Sequence, residues 1–245
     1  MNDYYSSINT NNPIPRMDIE FYDPFTDPKY KGFAGRFRRS RIAGKEYLRR
    51  PYWISVLIFT VIAASLSVLL YSVKDEVMGY ITQILNSILG DVSVNENGVI
   101  SPLSLFLNNL RAACTAFALG FIPFIYAPTL SLVINAIAVG IIPAFVGYSM
   151  NFSLTNSILY TLIGILPHGI FELTAIFMGI SMGYATCTQL NRAILHKKGK
   201  WPFDFYMGEI CWHLVLYIIP LLLIAAFMEA YVTPICLSAF LQLVL

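Results

Sequence analysis

Charge is what this sequence most lacks. Asp, Glu, Lys and Arg make up 12% of its 245 residues, against about 25% in a typical soluble domain. With 57% hydrophobic side chains, the composition excludes a water-soluble globular domain and points to a polytopic membrane protein. Cysteines are few: Cys114, Cys187, Cys211 and Cys236 stand singly, with no C-x-x-C spacing. Neither a disulfide framework nor a cysteine zinc site is indicated. There is no G-x-x-x-x-G-K-[ST] loop to cradle nucleotide phosphates and no H-E-x-x-H pair. No cleavable signal is expected, because the first apolar run begins near residue 52. A net charge of +2 gives no reason to expect nucleic acid as a partner.

The basic charge that is present is unevenly placed. Nine Lys or Arg lie between Lys29 and Arg50 with one acid, Glu46, and four more (Arg192, Lys197, Lys198, Lys200) follow the fourth apolar run. Residues 1–50 read as a disordered, basic cytoplasmic arm that touches anionic lipid. Residues 51–245 read as an all-α membrane domain with spans near 52–73, 105–127, 129–150, 157–183 and 211–232. An odd number of spans with a cytoplasmic N-terminus leaves the C-terminus extracytoplasmic and both basic clusters inside. The last eleven residues, after a break expected at Thr233-Pro234, are read as lying along the outer interface.

Between the first two spans the period changes. Val77, Met78, Ile81, Ile84, Leu85, Ile88 and Leu89 recur every three or four residues and end at Gly90, the mark of an amphipathic helix. It is read as extracytoplasmic, either packed on the bundle or offering Ile84 and Ile88 to a partner. Ser101-Pro102 starts the next helix, and the apolar stretch it leads into covers only about 24 Å. Arg111 is then drawn into the bundle with Asn109, or it snorkels to the interface. The second and third runs also fit a re-entrant hairpin.

The stretch Leu166-Pro167-His168-Gly169-Ile170-Phe171-Glu172 interrupts the fourth run. His168 and Glu172, four apart, share one helix face, and Pro167 frees the carbonyl one turn back and favours a kink. Ionisable groups at mid-membrane depth mark a functional or assembly site. Candidate members of that polar cluster are Asn109, Arg111, Asn135, His168, Glu172 and Glu229. The preferred arrangement is structural, with Arg111 neutralising Glu172 or Glu229. Two ligands four apart do not make a metal site, so no metal, no other cofactor and no catalytic residue is assigned. Below the cluster, Ala175, Gly179 and Gly183 form a small-residue stripe for close helix contact, with Pro167 and Gly169 at the kink. His196 and His213 are read as interface residues.

Four stretches, Asn108-Asn109-Leu110-Arg111, the Asn135/Gly140 pattern, Pro167-His168-Gly169 with Glu172, and Ala225-Ala226 with Glu229-Ala230 and Thr233-Pro234, together resemble the stage II sporulation protein M family. The resemblance covers roughly residues 52 to 234. It departs from the family pattern in its long basic arm and in Ala136 after Asn135. It implies an integral membrane protein that acts as a scaffold, not as an enzyme. Members that serve sporulation gather peptidoglycan hydrolases at the outer face of the membrane during engulfment, and relatives also occur in archaea. The expected partners are membrane lipid and cell-envelope proteins, with a homo-oligomer left open. A permease-like subunit moving a solute or lipid through the polar cluster is the alternative.

Overall fold

The computed structural model describes residues 28–89, 101–196 and 203–244, with the side chains of residues 84–89 left aside. Among the described residues the chain is helical and contains no strand. Long helices follow from the composition: in a bilayer each backbone N–H and C=O must find its partner within the segment. We number six helices: α1 Gly32–Ser72, α2 Lys74–Leu89, α3 Pro102–Ala118, α4 Pro128–Ser149, α5 Leu154–Ile194 and α6 Phe203–Val244. Four of them, α1, α4, α5 and α6, are long and apolar enough to cross a membrane. α5 is the central one and touches α1, α3, α4 and α6.

The structure corrects the expected boundaries. The basic segment from Gly32 to Arg50 is no arm but the first part of α1, continuous with the first span; residues 1–27 lie outside the described residues. This part packs on the start of α6, where Tyr206 and Ile210 are buried with Ala43, Tyr47 and Leu48. The second expected span is the shortest. α3 has 17 residues, about 26 Å at 1.5 Å each, and continues as a single 3-10 turn, Leu119–Phe121. Its N-terminus forms as expected, with extended Ser101 before Pro102, although the Ser101 side chain caps nothing.

No break occurs at Thr233-Pro234. α6 runs unbroken to Val244 and lies beside α5, with Leu237 against Gly164 and the Phe240 ring 6.1 Å from that of Tyr160. The reason is local. Three five-residue π turns, Gly44–Leu48, Leu214–Ile218 and Met228–Val232, each precede a proline by two or three residues: Pro51, Pro220 and Pro234. A proline ring collides with the carbonyl four residues back in an α-helix. Here that carbonyl belongs to Tyr47, Leu216 or Ala230, inside a π turn, where bonds run to the fifth residue and the helix is wider. Pro167 and Pro143, without such a turn, still lie inside continuous helices.

α2 begins with Asp75 and Glu76 in its first turn, where the helix dipole favours acids. Its apolar face folds back on α4: Ile81 is buried with Ile141 and Ala144, and Val77 and Met78 pack beside them. This part of the amphipathic face is therefore core. The side chains of Ile84 and Ile88 lie outside the described residues.

Candidate functional site

The small-residue stripe positions the site. A β-carbon at Gly179 would stand 2.7 Å from the Ala113 carbonyl oxygen, and one at Gly183 would overlap the Ala116 carbonyl. Only glycine lets α3 and α5 approach backbone to backbone, as small residues do between membrane helices. The contacts run in register, Ala113 at Gly179 and Ala116 at Gly183, so the two helices are parallel. One turn before Ala113, Asn109 is buried and donates a side-chain hydrogen bond to the carboxylate of Glu172. Gly169 is also buried, but the atoms nearest its absent β-carbon belong to Ile165 and Leu173 of its own helix.

α6 runs antiparallel to α5 and supplies the other half. His168 and Glu172 are one turn apart on α5, with Nε2 and Oε2 3.9 Å from each other. Glu229 and Thr233 are one turn apart on α6, and the Thr233 hydroxyl lies 3.0 Å from His168 Nδ1. Two rungs result: His168 meets Thr233, and Glu172 meets Glu229. Donor atoms of His168, Glu172 and Glu229 all lie within 4.8 Å of one another. Glu229 projects from the π turn Met228–Val232, a helix irregularity that is frequent at functional sites. Glu172 lies near the middle of α5 with a donor oxygen of Glu229 within 4.8 Å; ionised together, the two carboxylates repel unless a cation intervenes.

Of six residues expected in the polar cluster, the structure brings four together: Asn109, His168, Glu172 and Glu229. Arg111 and Asn135 belong elsewhere. They line a groove of about 540 Å³ between α3 and α4 with Asn108, Ser131 and Ile134, and Asn135 donates 2.8 Å to the Ser131 carbonyl. Arg111 follows Asn109 by two residues, about 200° around an α-helix, so the two face opposite ways. The groups beside Glu172 are His168, Glu229 and Asn109, where the sequence had placed Arg111 as its neutralising partner. Thr233 was missed as a member, although Glu-x-x-x-Thr on one helix facing His-x-x-x-Glu on another is legible once the helices are known to be antiparallel. The sequence left a metal unassigned for want of a third ligand, and the fold brings Glu229 beside His168 and Glu172 as a third possible donor.

A second polar group was also missed. Where α1 meets α6, Arg39 Nε lies 3.3 Å from Glu209, both largely buried. Ser40 Oγ lies 3.1 Å from Nδ1 of His213. Arg36 stacks 4.6 Å from the Trp212 ring centroid. His213, expected at the interface, is 6% exposed and holds two helices together. These partners are about 170 residues apart, and no local spacing announces them. His196 is exposed.

No solved structure matches the chain. An uncharacterized protein of Methanocaldococcus jannaschii is 34% identical over 132 residues, which cover 54% of this chain and 70% of that protein. The family model described as Stage II sporulation protein M matches residues 54–234, a stretch from early in the first span to the rung residues of α6. The chain belongs to the stage II sporulation protein M family.

Proposed function

We propose that the protein is a non-catalytic membrane scaffold that recruits or regulates cell-envelope proteins, peptidoglycan-remodelling hydrolases among them where the organism has that substrate. The observation that carries this reading is the closed seam between α3 and α5. Gly179 and Gly183 meet the Ala113 and Ala116 backbone, and Gly120 meets Gly183, which leaves no room between α3 and α5 for a solute. In this reading the basic end of α1 faces the cytoplasm, with Arg41, Lys45 and Arg49 on the rim of an apolar pocket at anionic headgroup level. The far end of α6 is extracytoplasmic. α2 is the element offered to a partner outside.

One observation favours a permease-like subunit instead: two carboxylates and an imidazole gathered near the middle of a spanning helix. Affinity capture of the tagged protein from crosslinked native membranes separates the readings. Stoichiometric recovery of an envelope protein, lost when α2 is deleted, supports the scaffold. Recovery of the chain alone, or only of further copies, together with solute or lipid movement in proteoliposomes, overturns it.

A further inference from the structure

We propose that His168, Glu172 and Glu229 bind one divalent first-row cation of the zinc or manganese class, clasping α5 to α6. The inference stands whether the protein scaffolds or transports. Three donor atoms no more than 4.8 Å apart all lie within about 2.8 Å of one common point, by the geometry of a triangle. Metal–nitrogen and metal–oxygen bonds of about 2.0–2.2 Å are reached if each side chain moves in by less than about 1 Å. Carboxylate rotation supplies that without moving a helix.

The surroundings are those of a metal ligand set. Thr233 lies 3.0 Å from His168 Nδ1 and so leaves Nε2 turned towards Glu172. Fixing one ring nitrogen so that the other can ligate is the usual support of a metal-bound imidazole. Asn109 does the same for a carboxylate, holding Glu172 from the side of α3. The charges also fit: two carboxylates neutralise a doubly positive ion, so the filled site carries no net charge where the surroundings are apolar. One imidazole with two carboxylates suits zinc or manganese; calcium needs six to eight oxygens, and copper(I) prefers sulfur. The three ligands leave coordination positions for water or for a group from a partner.

The test uses the full chain in detergent, purified without a histidine tag, its cysteines replaced by alanine, and stripped with chelator. We expect zinc or manganese to bind at one equivalent per chain and to raise the unfolding temperature, while calcium does neither. Glu229→Gln, which preserves shape, should weaken binding at least about tenfold, and Thr233→Ala less, in line with the losses seen for ligand supports. No stoichiometric binding by the parent chain overturns the proposal, as does binding that Glu229→Gln leaves unchanged. Should Glu229→Gln fail to fold, X-ray absorption of the zinc-loaded parent chain decides. A first shell of nitrogen and oxygen with a single imidazole upholds the clasp, and several imidazoles overturn it.

Discussion

Gly179 and Ala113 touch through their backbones, with only 2.7 Å left for a β-carbon at Gly179 before it meets the Ala113 carbonyl oxygen. Alanine in a helix is favoured over glycine by about 1 kcal/mol, and Gly208, which has open space around it, should gain that much when changed to Ala. Gly179→Ala should go the other way, because prising α3 from α5 costs about 1–3 kcal/mol. Thermal unfolding of both variants in detergent checks the opposite signs. A stabilised Gly179→Ala would mean that α3 is not seated on α5.

Thr233 holds His168. Thr233→Val keeps the shape but strands Nδ1, a loss of about 1–3 kcal/mol for a buried polar group, whereas Thr233→Ser keeps the hydroxyl and should stay near wild type. Unfolding temperatures of the pair supply the comparison. Equal losses for both would point to the methyl group as the part that matters.

Arg39 and Glu209 form an ion pair in which Glu209 is the more buried partner, its side chain 6% exposed. Removing Arg39 leaves a buried carboxylate and should destabilise by about 3 kcal/mol, while Arg39→Met with Glu209→Leu should recover most of the loss. A double-mutant cycle on folded yield and unfolding temperature measures the recovery. Additive losses would show that the two side chains do not depend on each other.

Arg111 and Glu172 should behave as strangers. Since Arg111 lines the α3–α4 groove and Asn109 faces Glu172, Arg111→Met and Glu172→Gln are expected to add within about 0.5 kcal/mol. A coupling well above that in the unfolding cycle would place Arg111 in the cluster after all.

Sidedness follows from charge. In a chain whose four cysteines are replaced by alanine, Thr155→Cys at the start of α5 should react with an impermeant thiol reagent in intact cells. Ala193→Cys at its basic end should react only after permeabilisation. Both positions are exposed. The reverse pattern would invert the topology.

The apolar runs and their small-residue stripe were legible because they rest on composition and period, which are local. Gly179 and Gly183 could be named from spacing alone, and α3 is where they are used. The pairing of Glu172 was not legible: whether Arg111 or Glu229 meets it depends on which side of α3 faces inwards, and only the packing of Ala113 against Gly179 decides that. The break expected at Thr233-Pro234 failed for a different reason. Proline was read as a stop, whereas the π turn before it absorbs the clash, and no residue type announces a π turn. Arg39 and Glu209 were hidden in what read as an arm and a loop end.

The unbroken course of α6 has a mechanical consequence. Its 42 residues make a rod about 63 Å long at 1.5 Å per residue, roughly twice the apolar thickness of a bilayer. Glu229 sits 26 residues from the start at Phe203, about 39 Å along the shaft. A tilt of about 5° hinged at Phe203 sweeps Glu229 through about 3 Å by the same rise per residue, enough to pull its carboxylate out of reach of His168 and Glu172. The contacts of Arg39 and Ser40 near that hinge thus have leverage over side chains they never touch, and whatever grips the basic end of α1 holds the handle.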